Sequence, residues 1–101
     1  LLVTVRKERR GQYLKEQGVT IKTEFQRVVT NTSLAINGRN PFQILTQWQN
    51  PSTSEIHVFR SDNLWYDPTS HIKTGQITVF IERDNPKKYL FDLSFLPKFS
   101  D

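Results

Sequence analysis

From Val19 onward the chain alternates apolar and polar positions with a period of two. Val19, Ile21, Thr23 and Phe25 share one side, with Thr20, Lys22 and Glu24 on the other. Such alternation is the mark of a half-buried strand. Val28 and Val29 break the pattern, as a β-bulge does. Asn31-Thr32-Ser33 is turn chemistry, and residues 33–36 suit a short strand. Asn37-Gly38 signals a tight turn, and Pro41 delays the next strand until Phe42. Phe42, Ile44, Thr46 and Trp48 then alternate with Gln43, Gln47 and Gln49. The stretch Asn50-Pro51-Ser52-Thr53-Ser54 has hairpin-loop length. Beyond it, Ile56, Val58 and Arg60 alternate with His57 and Phe59, which predicts an antiparallel hairpin of residues 42–49 and 55–61. The parity assigns Ile21, Phe25, Ile44, Trp48, Ile56, Val58, Val79 and Ile81 to one inner face.

Residues 62–75 contain Asp62, Asn63, Pro68, Ser70 and Gly75 and read as a loop, with Leu64, Trp65 and Tyr66 folding back onto the body. Ile77, Val79 and Ile81 mark the last long strand, which ends at Asp84-Asn85-Pro86. Tyr89 to Leu96 form an apolar C-terminal stretch. Residues 3–17 favour helix, with Gly11 weakening the middle and Gly18 suited to the C-terminal cap. With few apolar residues beyond Tyr13 and Leu14, this helix is expected to bury little and to act as a linker. The expected fold is mainly β: a small antiparallel β-barrel or sandwich of five to six strands with an N-terminal helix. Length and the lack of a Cys…Trp…Cys pattern argue against an immunoglobulin sandwich.

The charge is unevenly placed. The chain has 101 residues and a net charge of +4. Within residues 1–18, Arg6, Lys7, Arg9, Arg10 and Lys15 face only Glu8 and Glu16, so +3 of the +4 lies there. Residues 19–101 are nearly neutral. The basic cluster follows Leu1-Leu2-Val3-Thr4-Val5, an order that matches the end of a transmembrane helix and its polybasic flank. The organisation expected is therefore a juxtamembrane basic helix or linker over 1–18 and a soluble β-domain over 19–101. The chain lacks Met at position 1, which suggests a fragment of a longer protein, and it holds no run of about 18 apolar residues. Cysteine is absent, which excludes disulfides and thiolate metal sites.

Four stretches carry a resemblance. Asn37-Gly38-Arg39-Asn40-Pro41-Phe42-Gln43-Ile44 precedes Phe59-Arg60-Ser61-Asp62-Asn63-Leu64-Trp65-Tyr66-Asp67-Pro68. Then come residues 77–92, from Ile77 to Asp92, and Ser94-Phe95-Leu96-Pro97. Over roughly residues 18–97 the chain resembles a group of uncharacterised bacterial domains that pair transmembrane helices with a small soluble β-domain. Their pattern is a Gly-led first strand, a Ser after a middle strand, and a last strand ending in a Pro-bearing turn before a Tyr. Here these fall at Gly18, Ser61, Asn85-Pro86 and Tyr89. The resemblance implies a membrane-anchored parent at the bacterial inner membrane and brings no known activity.

Candidate chemistry is sparse. His57 and His71 lack any metal-binding spacing, so no metal or other cofactor is expected. Ser61-Asp62 near His57 suggests a triad, but no nucleophile elbow surrounds Ser61, which reads better as a strand-ending residue bonded to backbone. No enzymatic role is expected. Trp48, Phe59, Trp65 and Tyr66 would suit a stacking platform for single-stranded nucleic acid on an OB-like barrel. Only Arg39 and Arg60 accompany them, opposed by Asp62 and Asp67, so nucleic acid is disfavoured as a partner. Arg6, Lys7, Arg9, Arg10 and Lys15 are the expected contacts to an anionic membrane surface. By the positive-inside tendency they place the domain on the cytoplasmic side. Arg60, Trp65 and Tyr66 are the expected contacts to a protein partner of unknown identity. The function this suggests is a non-enzymatic protein or peptide contact domain near the membrane.

Overall fold

The computed structural model describes residues 11–97. Residues 11–17 are helical (α1). Five strands follow: β1 (Val19–Thr30), β2 (Phe42–Gln49), β3 (Ile56–Arg60), β4 (Gln76–Glu82) and β5 (Asn85–Phe91). All pair antiparallel in one sheet of order β3-β2-β1-β4-β5, and the sheet curls into a half-barrel. The mainly β class, the strand number and the N-terminal helix match the sequence reading.

The twelve-residue β1 is long enough to pair with β2 through its second half and with β4 through its first. A bulge makes this possible. Phe25 pairs with Thr46 and Arg27 with Leu45, which leaves Gln26 without an opposite number. The extra residue shifts the alternation by one. Val19, Ile21, Thr23 and Phe25 face in before it, and Val28, opposite Ile44, faces in after it. The break in periodicity at Val28-Val29 is this bulge.

The core consists of Ile21, Ile44, Phe59, Ile77, Val79, Ile81 and Phe91, with Phe25, Trp48 and Tyr89 packed half-buried against it. Burying each of the large side chains stabilises the fold by roughly 1.5–3 kcal/mol. Thr23 is also fully buried, and its hydroxyl donates to the Ile77 carbonyl at 2.8 Å. Asn37 and Gly38 adopt φ of 53° and 75°, the left-handed pair that a tight turn demands, between the bridged residues Ile36 and Arg39. That bridge is all that forms where residues 33–36 were expected to make a strand.

One expectation is overturned. Ile56 and Val58 are not core: they are 60% and 59% exposed, while Phe59 is 1% exposed. The segment Ile56-His57-Val58-Phe59 carries large apolar residues on both parities, so alternation alone does not choose between them. The hairpin loop chooses. The Asn50 N–H donates to the Glu55 carbonyl at 2.8 Å, and Ser54 at φ 64° closes the turn. This sets Trp48 opposite His57 and Thr46 opposite Phe59, and turns Ile56 and Val58 outward beside Gln49 and Gln47.

Of the described helical residues, one is buried. Leu14 is 2% exposed. The Gly18 N–H donates to the Leu14 carbonyl at 3.0 Å and ends α1 against the sheet. A Cβ at Gly18 would lie 2.5 Å from the Leu14 oxygen and 2.6 Å from the Ile81 oxygen, so only glycine fits where helix and sheet meet.

Candidate functional site at the seam between the first and last edges

β3 and β5 are the two edges of the sheet, and the curl brings them together at one end. Tyr89 on β5 reaches across to Arg60 on β3. Its hydroxyl accepts from the Arg60 N–H and donates to the Arg60 carbonyl, each at 3.1 Å. The Tyr89 ring meets Phe59 edge-on, with centroids 4.9 Å apart. One side chain therefore supplies both bonds of a missing ladder rung. α1 packs beside this closure. Gly11, Leu14, Arg60, Asp62, Tyr89, Leu90 and Phe91 surround a cavity of about 200 Å³ there.

Away from Arg60 the seam opens. A cleft of about 470 Å³ lies between the 50–55 loop and the β4–β5 turn. Val19, Trp48, His57 and Ile81 line it, and Glu55, Arg83, Asp84 and Pro86 stand at its rim. The Trp48 and His57 rings stack at 5.8 Å, and the His57 Nε2 is buried without a hydrogen-bond partner.

The two edges differ in chemistry. β5 carries Pro86, Lys87 and Lys88, and its pairing with β4 is irregular between Ile81 and Glu82. Proline, lysine and irregular pairing are the devices that keep an edge from joining another strand. β3 has none of them. Just past this strand the Ser61 N–H bonds the Ile44 carbonyl at 3.0 Å. By antiparallel alternation, Phe59 and His57 also turn their main-chain groups to β2, and Ile56, Val58 and Arg60 turn theirs outward. Tyr89 occupies those of Arg60. The outward groups of Ile56 and Val58 face the open edge, flanked by their exposed side chains.

Of the residues singled out by sequence, Arg6, Lys7, Arg9 and Arg10 lie outside the described residues. Lys15 is exposed on α1, and Arg60 is exposed at the closure. Trp65 is 40% exposed, and its carbonyl accepts from Arg39 Nη2 at 3.2 Å. Tyr66 is half-buried and meets His71 edge-on at 6.0 Å. The four aromatics weighed as a stacking platform are dispersed: Phe59 is core, Trp48 stacks on His57, and Tyr66 contacts His71. Among the described residues, no group of three or more His, Cys, Asp or Glu side chains is placed to hold a metal ion. The Ser61 hydroxyl accepts from the buried Ile44 N–H and donates to the Asp62 carbonyl, both at 2.9 Å, and so serves the backbone. Two hydrogen bonds from Thr69, side chain first and main chain second, hold the Asp67 carboxyl below its usual range.

Sequence reasoning did not find the open β3 edge or the Tyr89 closure. The contrast between Pro86-Lys87-Lys88 and Ile56-His57-Val58 was a legible sign of the first.

No family model, no curated protein and no solved structure matches this chain.

Proposed function

We propose that this is a non-enzymatic protein-contact domain that receives an extended segment of a partner along β3, close to an anionic membrane surface. The carrying observation is the pairing of outward main-chain groups at Ile56 and Val58 with their exposed side chains, on the one edge that lacks protection. Main-chain hydrogen bonds to an added strand supply affinity in such docking, and alternate side chains supply specificity. The membrane part of the reading rests on the basic cluster of residues 1–18 and on the resemblance to bacterial membrane-anchored domains. It places the domain at the cytoplasmic face of the inner membrane.

The test is selection of peptides from a displayed random library on the wild-type chain and on Val58→Lys. The reading expects β-prone peptides that bind the wild type and lose binding to Val58→Lys. It also expects them to slow hydrogen exchange at the Ile56 and Val58 amides. Peptides that bind both proteins equally, or no enrichment at all, would refute it.

A further inference from the structure

We infer that the segment β3 accepts is β3 of a second copy, in one register set by the ends of the strand. This inference rests on the reading of β3 as a docking edge. The available edge is bounded at both ends. At one end the Arg60 N–H and carbonyl are held by Tyr89. At the other, the Ser54 N–H donates to the Asn50 carbonyl at 2.7 Å, and the Ser54 carbonyl accepts from Gln49 Nε2 at 3.3 Å. Between them, only Ile56 and Val58 have outward main-chain groups to offer.

An antiparallel pair of identical strands is related by a two-fold axis. With the axis at Ile56 or at Val58, only that residue pairs with its own copy, and the next rung requires Ser54 or Arg60. With the axis at His57, Ile56 pairs with Val58 of the second copy and Val58 with its Ile56. Both free positions are then used twice, each pair exchanging two main-chain bonds. The side chains agree with this register. Ile56 and Val58 stand opposite one another on the outer face, an apolar pair of β-branched residues that favours cross-strand contact.

At a two-fold axis on His57, the two residues 57 form a non-hydrogen-bonded pair, whose Cα atoms approach to about 4.5 Å. That distance accepts a disulfide, for which the usual range is about 4.4–6.8 Å. The chain has no cysteine, so His57→Cys introduces the only thiol.

The experiment combines sedimentation equilibrium of the full chain, up to about 1 mM, with oxidation of His57→Cys. The expected result is a concentration-dependent dimer that Val58→Lys weakens at least tenfold, with circular dichroism showing that the variant stays folded. His57→Cys should yield a covalent dimer, while Gln49→Cys, on the neighbouring strand, should not. A monomer throughout, with His57→Cys uncrosslinked, overturns the inference. So does a dimer insensitive to Val58→Lys. If the chain stays monomeric but selected peptides still require Val58, the second copy is refuted and the docking edge survives. If neither peptide nor copy depends on Val58, both fall.

Discussion

The Tyr89 hydroxyl bonds both main-chain groups of Arg60 and so closes two strands that share no ladder. A phenol is suited to this because it donates and accepts through one atom. Tyr89→Phe keeps the ring against Phe59 and deletes both bonds. Arg60 is exposed, so water can take up the released groups. The expected cost is therefore only about 0.5–1.5 kcal/mol in urea unfolding. Hydrogen exchange at the Arg60 amide should accelerate. An unchanged exchange rate would mean that the hydroxyl does not hold the seam.

Phe59 and Val58 are adjacent, yet they belong to opposite faces. Phe59→Ala should cost about 3–5 kcal/mol, because it empties a filled position among Ile44, Tyr89 and Phe91. Val58→Ala should stay within about 0.5 kcal/mol in the monomer. Thermal or urea unfolding of the two variants reads the register of β3 directly. A larger cost at Val58 than at Phe59 would restore the parity that turns Ile56 and Val58 inward.

That parity shows where sequence reasoning ran out. β1, β2 and β4 were legible because Lys22, Glu24, Gln47 and Thr78 mark one face as polar. In β3 both faces carry large apolar residues, so the decision passed to the 50–55 loop, whose geometry depends on Ser54 in a left-handed conformation. The β1 bulge was legible as a break in period. Leu14 was not, since one buried leucine in a polar helix gives no periodic signal. The site was the least legible part, because an edge strand is defined by what does not pair with it. Only the order β3-β2-β1-β4-β5 reveals that.

Ser61 tests the distinction between a structural and a chemical serine. Its hydroxyl is the acceptor for the Ile44 N–H, and Ser61 is 3% exposed. Ser61→Ala leaves that N–H buried and unpaired, at an expected cost of about 1–3 kcal/mol. Ser61→Thr keeps the acceptor and should recover part of the loss. Chemical denaturation of both variants provides the comparison, and a neutral Ser61→Ala would show that water replaces the hydroxyl.

Asp67 ties acid stability to the turn at Thr69–His71. Thr69 favours the ionised carboxylate, so the folded-state value lies below the ordinary 3.8. For a depressed carboxylate the stabilisation is fully present above the unfolded value and is lost as pH falls through the folded one. Asp67 is fully exposed, so the contribution is small and screened by salt. Carboxyl NMR titration should find Asp67 below the ordinary aspartate value. In Thr69→Val it should rise toward the ordinary value, stopping short because the Thr69 main-chain N–H still donates.

Deleting residues 1–18 would remove the basic cluster, but it would also remove buried Leu14 and the helix–sheet junction at Gly18. Lost vesicle binding would then be ambiguous. A variant with Arg6, Lys7, Arg9 and Arg10 all changed to Gln lowers the net charge from +4 to zero and leaves Leu14 in place. Each basic residue near an anionic surface contributes about 1 kcal/mol, so four together should weaken binding to phosphatidylserine-containing vesicles by orders of magnitude. Wild-type binding should fall with added salt, as screening requires. Cosedimentation with anionic and with neutral vesicles separates the outcomes. Binding that survives the four substitutions, or that ignores salt, would detach this domain from the membrane surface and leave the β3 edge to act elsewhere.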